Sequence, residues 1–260
     1  MAKRGRLNLL EQKERFKLLC RFIYVFKYVT RKELDMFVNV IIGLKYPQWL
    51  IEYSVKLGLV KTYLDTTFKT KIYYLSNKGV DILYSTERLA EYYRFDQYRT
   101  AFTTYSHHKL LVDSYIFLKR ELSIKEWVSE WGMRVGRKRF EKVPDGLLKL
   151  ENGLNIALEA ETSYKRLTEW KTFIWRYQYD ILKINRYHGV LLIASNGDTF
   201  EAMIIRVSGI NPTFCNKAFI FTSPVMIKLR KCIYNNEMKD IQDVFELLNQ
   251  ELNDKKSRPK

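Results

Sequence analysis

Asp145, Glu159 and Glu161 are the residues of this 260-residue chain whose types and spacing best suit chemistry. They lie in Val143–Glu161, VPDGLLKLENGLNIALEAE, two apolar strand-like runs joined at Glu151-Asn152-Gly153. A two-residue turn at Asn152-Gly153 would pair Leu150 with Asn155 and Lys149 with Ile156, mixing polar and apolar partners on both faces. A three-residue loop with glycine in the left-handed position does better. It pairs Leu150 with Leu154, Leu148 with Ile156 and Gly146 with Leu158, an apolar face throughout. The other face then pairs Lys149 with Asn155, Leu147 with Ala157 and Asp145 with Glu159. Register follows the apolar face, so the three-residue loop is expected.

That register brings the Cβ atoms of Asp145 and Glu159 within about 5 Å. Glu161, two residues on, shares their face. Three like charges so close repel unless something intervenes. A divalent cation would remove the penalty, and hard oxygen donors suit magnesium or manganese rather than zinc. Alternatively the three carboxylates lie on a solvated outer face, salt-bridged to Lys165 and Lys149. Geometry alone leaves both readings open.

The surrounding chain is strongly basic, with 45 Lys and Arg against 29 Asp and Glu and a formal charge of +16. Such an excess favours a polyanionic partner, most commonly nucleic acid. Apolar content of 47% and aromatic content of 15% are those of a folded protein. Cys20, Cys215 and Cys232 are odd in number with no C-x-x-C spacing, which argues against a disulfide framework or zinc ribbon and suits a reducing cytoplasm. The basic N-terminus has no apolar segment behind it, so no secretory signal is expected. No apolar run approaches the roughly 18 residues needed to cross a bilayer. A cytoplasmic protein with no membrane partner is the expectation.

The elements around the carboxylates begin with three helices. Apolar positions recur at helical spacing from Leu9 to Tyr28, and TRKELDMFV opens a second helix with Thr30 and Glu33 as a capping box. A third runs from about Tyr46 to Leu57, with Pro47 in its first turn and Gly58 ending it. LVKTYLD, the turn TTFKT and KIYYLSNKG read as strand, wing and strand, and NKGVDILY as a short helix begun at Ser76. This order, closing on YLSNKG, resembles the winged helix-turn-helix family over residues 9–85. The resemblance implies that the third helix enters a major groove and that Lys69 and Lys71 on the wing meet phosphate. Lys45, Gln48, Trp49, Tyr53 and Lys56 are the exposed candidates on and beside the third helix. A protein-interaction role for such a domain is the alternative.

Residues 86–122 read as a helical connector: RLAEYYRFDQYRTAF, then SHHKLLVDSYIFLKREL with Ser106 as N-cap. His107 and His108 are neighbours pointing about 100° apart, so one metal cannot easily take both. Residues 123–252 read as a second domain with strands EWVSEW, PDGLLKL, LNIALEAE, GVLLIAS, EAMIIRV and AFIFTS. A long helix, YKRLTEWKTFIWRYQYDILK, separates the third from the fourth, and an amphipathic helix covers about Met238 to Leu252. Residues 253–260 are expected to be a disordered tail. The fold class expected is α+β, a winged helix followed by a mixed α/β domain.

Pro144-Asp145 followed by Glu159-x-Glu161 on a hairpin before a long helix resembles the PD-(D/E)xK nuclease fold of restriction endonucleases. Glu161 stands where the motif usually ends in lysine, and Lys165 lies four residues on. The fuller pattern is a winged helix, HHKLLVDSY, EW and PDG…LEAE. It resembles the replication-relaxation proteins and the related MOBC relaxases of mobilisable plasmids, over most of residues 9–195. The resemblance implies a catalytic set of Asp145, Glu159, Glu161 and Lys165. The three carboxylates would hold Mg2+ or Mn2+, with His108 and Glu130 supporting. It implies metal-assisted nicking of DNA at a plasmid origin, double- and single-stranded DNA as partners, and other relaxosome or replication proteins alongside. Lys165 or Lys171 would counter charge in the transition state. A nucleophilic tyrosine, with Tyr24 and Tyr28 as candidates, stays open beside attack by water. The alternatives are a DNA-binding regulator with a degenerate nuclease fold, and a restriction or repair endonuclease.

Overall fold

A computed structural model describes residues 9–66, 69–84, 93–95, 105–135 and 143–257. The chain is mixed α+β and divides into two compact units, the first ending at Phe102 and the second beginning at Thr103.

In the first unit α1 (Leu9–Phe26) stops two residues short of the expected end, because Lys27 turns to φ +65°. The chain then enters a two-residue strand, β1 (Val29–Thr30). Thr30 also caps α2 (Arg31–Val40): its N–H donates to Glu33 Oε2 at 2.6 Å, and Glu33 N–H donates back to Thr30 Oγ1 at 3.4 Å. The expected capping box is present. α3 (Gln48–Lys56) follows Pro47 and ends at Gly58, whose φ is +72°. β2 (Val60–Asp65) and β3 (Thr70–Leu75) form an antiparallel hairpin, and β1 joins the far side of β3. Phe22 stacks on Phe37 at 4.0 Å in a core completed by Leu19, Ile23, Leu34, Leu50 and Ile72, all fully buried.

The YLSNKG stretch has a physical reason for each residue. Ser76 Oγ accepts from Gly79 N–H and donates to Leu59 O, so it both starts α4 (Asn77–Tyr84) and ties it to the end of α3. Lys78 Nζ donates to Leu57 O at 2.9 Å, satisfying a helix-terminal carbonyl. Gly79 lies so close to Leu59 O that a Cβ there would sit 2.2 Å from it. Tyr93 is also clipped to this unit: its hydroxyl accepts from Leu75 N–H at 3.0 Å and donates to Lys27 O. Tyr93–Phe95 carry no helix, contrary to expectation, and the rest of RLAEYYRFDQYRTAF lies outside the described residues.

The second unit is built on a seven-stranded mixed sheet. Its chain order is α5 (Tyr105–Glu121), β4 (Ile124–Ser129), α6 (Glu130–Arg134), β5 (Gly146–Leu150), β6 (Asn155–Glu161), α7 (Leu167–Leu182) and β7 (Gly189–Ala194). Then come α8 (Gly197–Ile210), α9 (Pro212–Ala218), β8 (Phe219–Thr222), α10 (Pro224–Lys228), β9 (Lys231–Tyr234), β10 (Glu237–Asp240) and α11 (Ile241–Ser257). β4, β5 and β6 form an antiparallel meander, β6, β7 and β8 run parallel, and β9 and β10 turn back antiparallel. One sheet face, with Ala157, Val190, Leu192, Phe219 and Phe221, packs under α7, α8 and α9. On the other face α5 lies against β6 and α11 against β9.

Several expectations are corrected here. EAMIIRV is helix α8, not a strand. Asn196 Oδ1 accepts from Thr199 N–H at 2.8 Å as its cap, and Met203 and Val207, four residues apart, are its buried side. A short apolar run does not distinguish strand from helix, and here the cap decides. EWVSEW is a strand only to Ser129, which then caps α6 by accepting from Gly132 N–H. The last helix starts at Ile241 rather than Met238, because β9 and β10 form a hairpin through Asn235 and Asn236, both at positive φ. It continues to Ser257, into the expected tail; residues 258–260 lie outside the described residues. Ser106 lies inside α5, which already begins at Tyr105.

Candidate functional site

The β5–β6 hairpin has the expected register, Gly146 with Leu158, Leu147 with Ala157, Leu148 with Ile156 and Lys149 with Asn155. Leu150 N–H donates to Leu154 O at 2.9 Å, and Gly153 takes φ +89° in the loop. Alternation of the ladder from that bond directs Ala160 N–H toward the strand that has ended at Gly146. Asp145 fills the gap with its side chain: its Oδ2 accepts from Ala160 N–H at 2.9 Å. The same oxygen lies 3.0 Å from His107 Nε2 on α5, and Asp145 O accepts from Glu130 N–H at the start of α6. Two elements thus fix its carboxylate and a third its backbone carbonyl.

Glu159 and Glu161 share the face of β6 that carries Ala157, so they point at α7 and are 2% and 4% exposed. That burial removes the solvated-face alternative for both. Tyr177 on α7 donates its hydroxyl to Glu159 Oε1, and Lys165 forms an ion pair with Glu161. Lys149 serves elsewhere, 2.8 Å from Glu126 on β4. The Lys165 ammonium also sits 5.1 Å from the ring centre of Trp170 and 5.3 Å from that of Phe173. Burial, with the Glu159 charge beside it, holds the Tyr177 hydroxyl well above its ordinary range, so it stays a donor. In kind, the three carboxylates are the hard donors that magnesium or manganese takes. Each is directed to a different protein partner, however, and among the described residues no three His, Cys, Asp or Glu converge as a metal-holding group.

The histidine whose ring meets Asp145 Oδ2 is His107, the neighbour of the expected His108. Burial pulls the His107 pKa down, but the hydrogen bond and charge of Asp145, helped by Glu130 and Glu159, outweigh it and leave the pKa raised. Glu130 supports through its backbone bond to Asp145, while its carboxylate is held by Arg134 Nη2 at 2.6 Å. Tyr177 was not legible as a site residue: it sits mid-helix at core spacing, and only the fold brings it over Glu159.

In the first unit Lys45, Gln48, Trp49, Tyr53, Lys56, Lys69 and Lys71 are all exposed. Trp49 and Tyr53 rest one side of their rings on Phe16, at 6.3 and 5.9 Å. Gln48 donates to Glu52 at 2.9 Å, and Lys69 sits in the hairpin turn at φ +50°. Tyr24 and Tyr28 are only 5% and 8% exposed. Tyr24 stacks on Tyr93 and Tyr28 leans on Phe95, so both are packing residues and not accessible nucleophiles. The three thiols are buried, which pushes Cys20 and Cys232 up to about 12 and Cys215 to about 11 and keeps them unreactive at neutral pH. No helix among the described residues is long and apolar enough to cross a membrane. No protein-family model matches the chain, and a search of curated proteins finds no relative.

Proposed function

We propose that the protein is a metal-dependent DNA-nicking enzyme of the relaxase or replication-initiator kind. Its first unit would be a winged helix that binds duplex DNA, and its second a PD-(D/E)xK-like nuclease domain acting at a plasmid origin. The observation that carries this reading is the triplet Asp145, Glu159 and Glu161, two of them buried, at one end of a β5–β6 hairpin in a protein of charge +16. Buried carboxylates are costly and are kept where they have work. The element order α5-β4-β5-β6-α7-β7, with β7 parallel to β6, supports the nuclease-like assignment. The three-helix and hairpin order of the first unit, with its exposed lysines, supports the DNA-binding one.

A divalent cation bound by these carboxylates would supply Lewis acidity toward a phosphate and acidify a water. The chain's own residues prepare for that. Ala160 N–H and His107 orient the Asp145 carboxylate, and Tyr177 orients Glu159. Lys165 sets an ammonium beside Glu161, where it can neutralise charge on a cleaved phosphodiester. With Tyr24 and Tyr28 buried, water is the proposed nucleophile.

The test is incubation with supercoiled plasmids in magnesium, manganese or EDTA. Nicked circles should form only with metal, and Asp145→Ala, Glu159→Gln and Glu161→Gln should each abolish them while DNA affinity is kept. Nicking confined to one strand of one origin separates an initiator from a restriction or repair endonuclease. A second reading, a DNA-binding regulator without catalysis, is favoured by the partner that each carboxylate already has inside the protein. DNA binding with no nicking in either metal would select it.

A further inference from the structure

The outer face of α7 takes no part in the chemistry proposed above. At about 100° per residue, Lys171, Thr172, Trp175, Arg176, Tyr179 and Lys183 fall opposite the buried Trp170, Phe173, Ile174 and Tyr177. Trp175 is 69% exposed and Tyr179 50%, and their rings stack on each other at 6.3 Å and 20°. An aromatic pair left in water forgoes the burial that usually stabilises it, which marks a face with something to bind.

The charges around the pair have one sign. Lys171, Arg176 and Lys183 make no ion pair with a described residue. Asp180 is buried and held by Arg186 at 3.2 Å, and Glu169 at the helix start is bonded to Arg166. A concavity of about 380 Å3, lined by Lys165, Thr168, Glu169, Thr172, Phe173 and Arg176, runs from this face to Lys165, the partner of Glu161.

We propose that this face is a platform for single-stranded DNA. Bases stack on Trp175 and Tyr179, and phosphates lie against Lys171, Arg176, Lys183 and the Thr168 hydroxyl, along a track ending at Lys165, the partner of Glu161. The choice of a single strand follows from the rings: stacking needs the open face of a base, which a duplex hides. The choice of a polyanion follows from the cations. A second copy of the chain fits worse, because a twofold contact would set these cations against themselves. The proposal rests on the reading that the second unit acts on one DNA strand.

The experiment uses the full chain in EDTA, where no cleavage occurs. It measures fluorescence anisotropy of a labelled oligothymidylate, an abasic strand of equal length and a duplex of equal length. Trp175→Ala and Tyr179→Ala should each weaken oligothymidylate binding by about 5- to 100-fold. Trp175→Phe should recover most of that loss, and duplex affinity should change less than about twofold. The abasic strand should bind the wild type weakly and be indifferent to Trp175→Ala. Oligothymidylate binding by Trp175→Ala within about twofold of wild type overturns the proposal. So does equal loss on the abasic strand, or a concentration-dependent dimer in sedimentation that Trp175→Ala removes. Persisting plasmid nicking with no such loss sinks the platform alone. Loss of stacking without any nicking in metal sinks the nuclease reading alone.

Discussion

His107 sits where burial and charge oppose each other, and charge wins. Its raised pKa has a definite sign for stability. The favourable His107–Asp145 interaction is fully present below the unfolded value near 6.5 and is lost as pH rises through the higher folded value. In the metal-free protein, proton NMR should find His107 titrating above 6.5. Asp145→Asn should lower that midpoint, because the burial remains while the hydrogen-bonded charge is gone and only Glu130 and Glu159 still raise it. An unchanged midpoint in that variant would mean that the proton is held by something other than Asp145. The carboxylates themselves show why residue-level reading stopped short. The shared face of Glu159 and Glu161 on β6 was legible from strand alternation alone. The carboxylates' partners were not, since Tyr177 lies 18 residues from Glu159 and His107 lies 38 from Asp145. Removing Glu159 strands the Tyr177 hydroxyl in a buried place, and removing Glu161 takes from the half-buried Lys165 its ion pair with that residue.

Elements with strong local signals were legible, and those decided by tertiary packing were not. The Gly58 stop and the hairpin loop at Gly153 each follow from a glycine's own conformational preference, and the Thr30–Glu33 capping box from two residues three apart. Register at β5–β6 followed because only one pairing gives an uninterrupted apolar face. By contrast, the apolar run of α8 carries no strand-or-helix information of its own, and β1 exists only because β3 is there to receive it. Gly79 belongs to the legible class, and its cost can be measured. A Cβ there would lie 2.2 Å from Leu59 O and 3.1 Å from Leu75 Cδ2, and the first of these is backbone that cannot rotate away. Gly79→Ala should therefore destabilise the first unit by on the order of 3 kcal/mol in urea denaturation. Gly197→Ala, with nothing within 4 Å of the added methyl, should change stability by less than about 0.5 kcal/mol. Equal effects of the two would mean that α4 does not pack on the end of α3 this closely.

On the scale of the whole molecule, the proposed polyanionic partner answers to the charge of +16, and each unit exposes cations of its own. Cations that lie against phosphates release counterions on binding, so each contributes about 0.9 to the slope of log affinity against log salt for duplex DNA. Lys69 and Lys71, exposed at the β2–β3 hairpin, are the most direct test of the first unit. Substitution at Lys69 must respect its left-handed φ of +50°, which asparagine tolerates better than alanine. Lys71 stands 5.8 Å from the Tyr73 ring centre, and glutamine keeps its length while removing the charge. The pair Lys69→Asn and Lys71→Gln should lower duplex affinity alike on every sequence and flatten the salt slope by up to about 2. Asp145→Ala, in EDTA, should leave that slope as it is, because a carboxylate between His107 and Ala160 N–H releases no counterion from DNA. Anisotropy on one labelled duplex across a salt series reads both variants. A slope unchanged by the double substitution would turn the hairpin away from phosphate and assign the first unit to a protein partner instead.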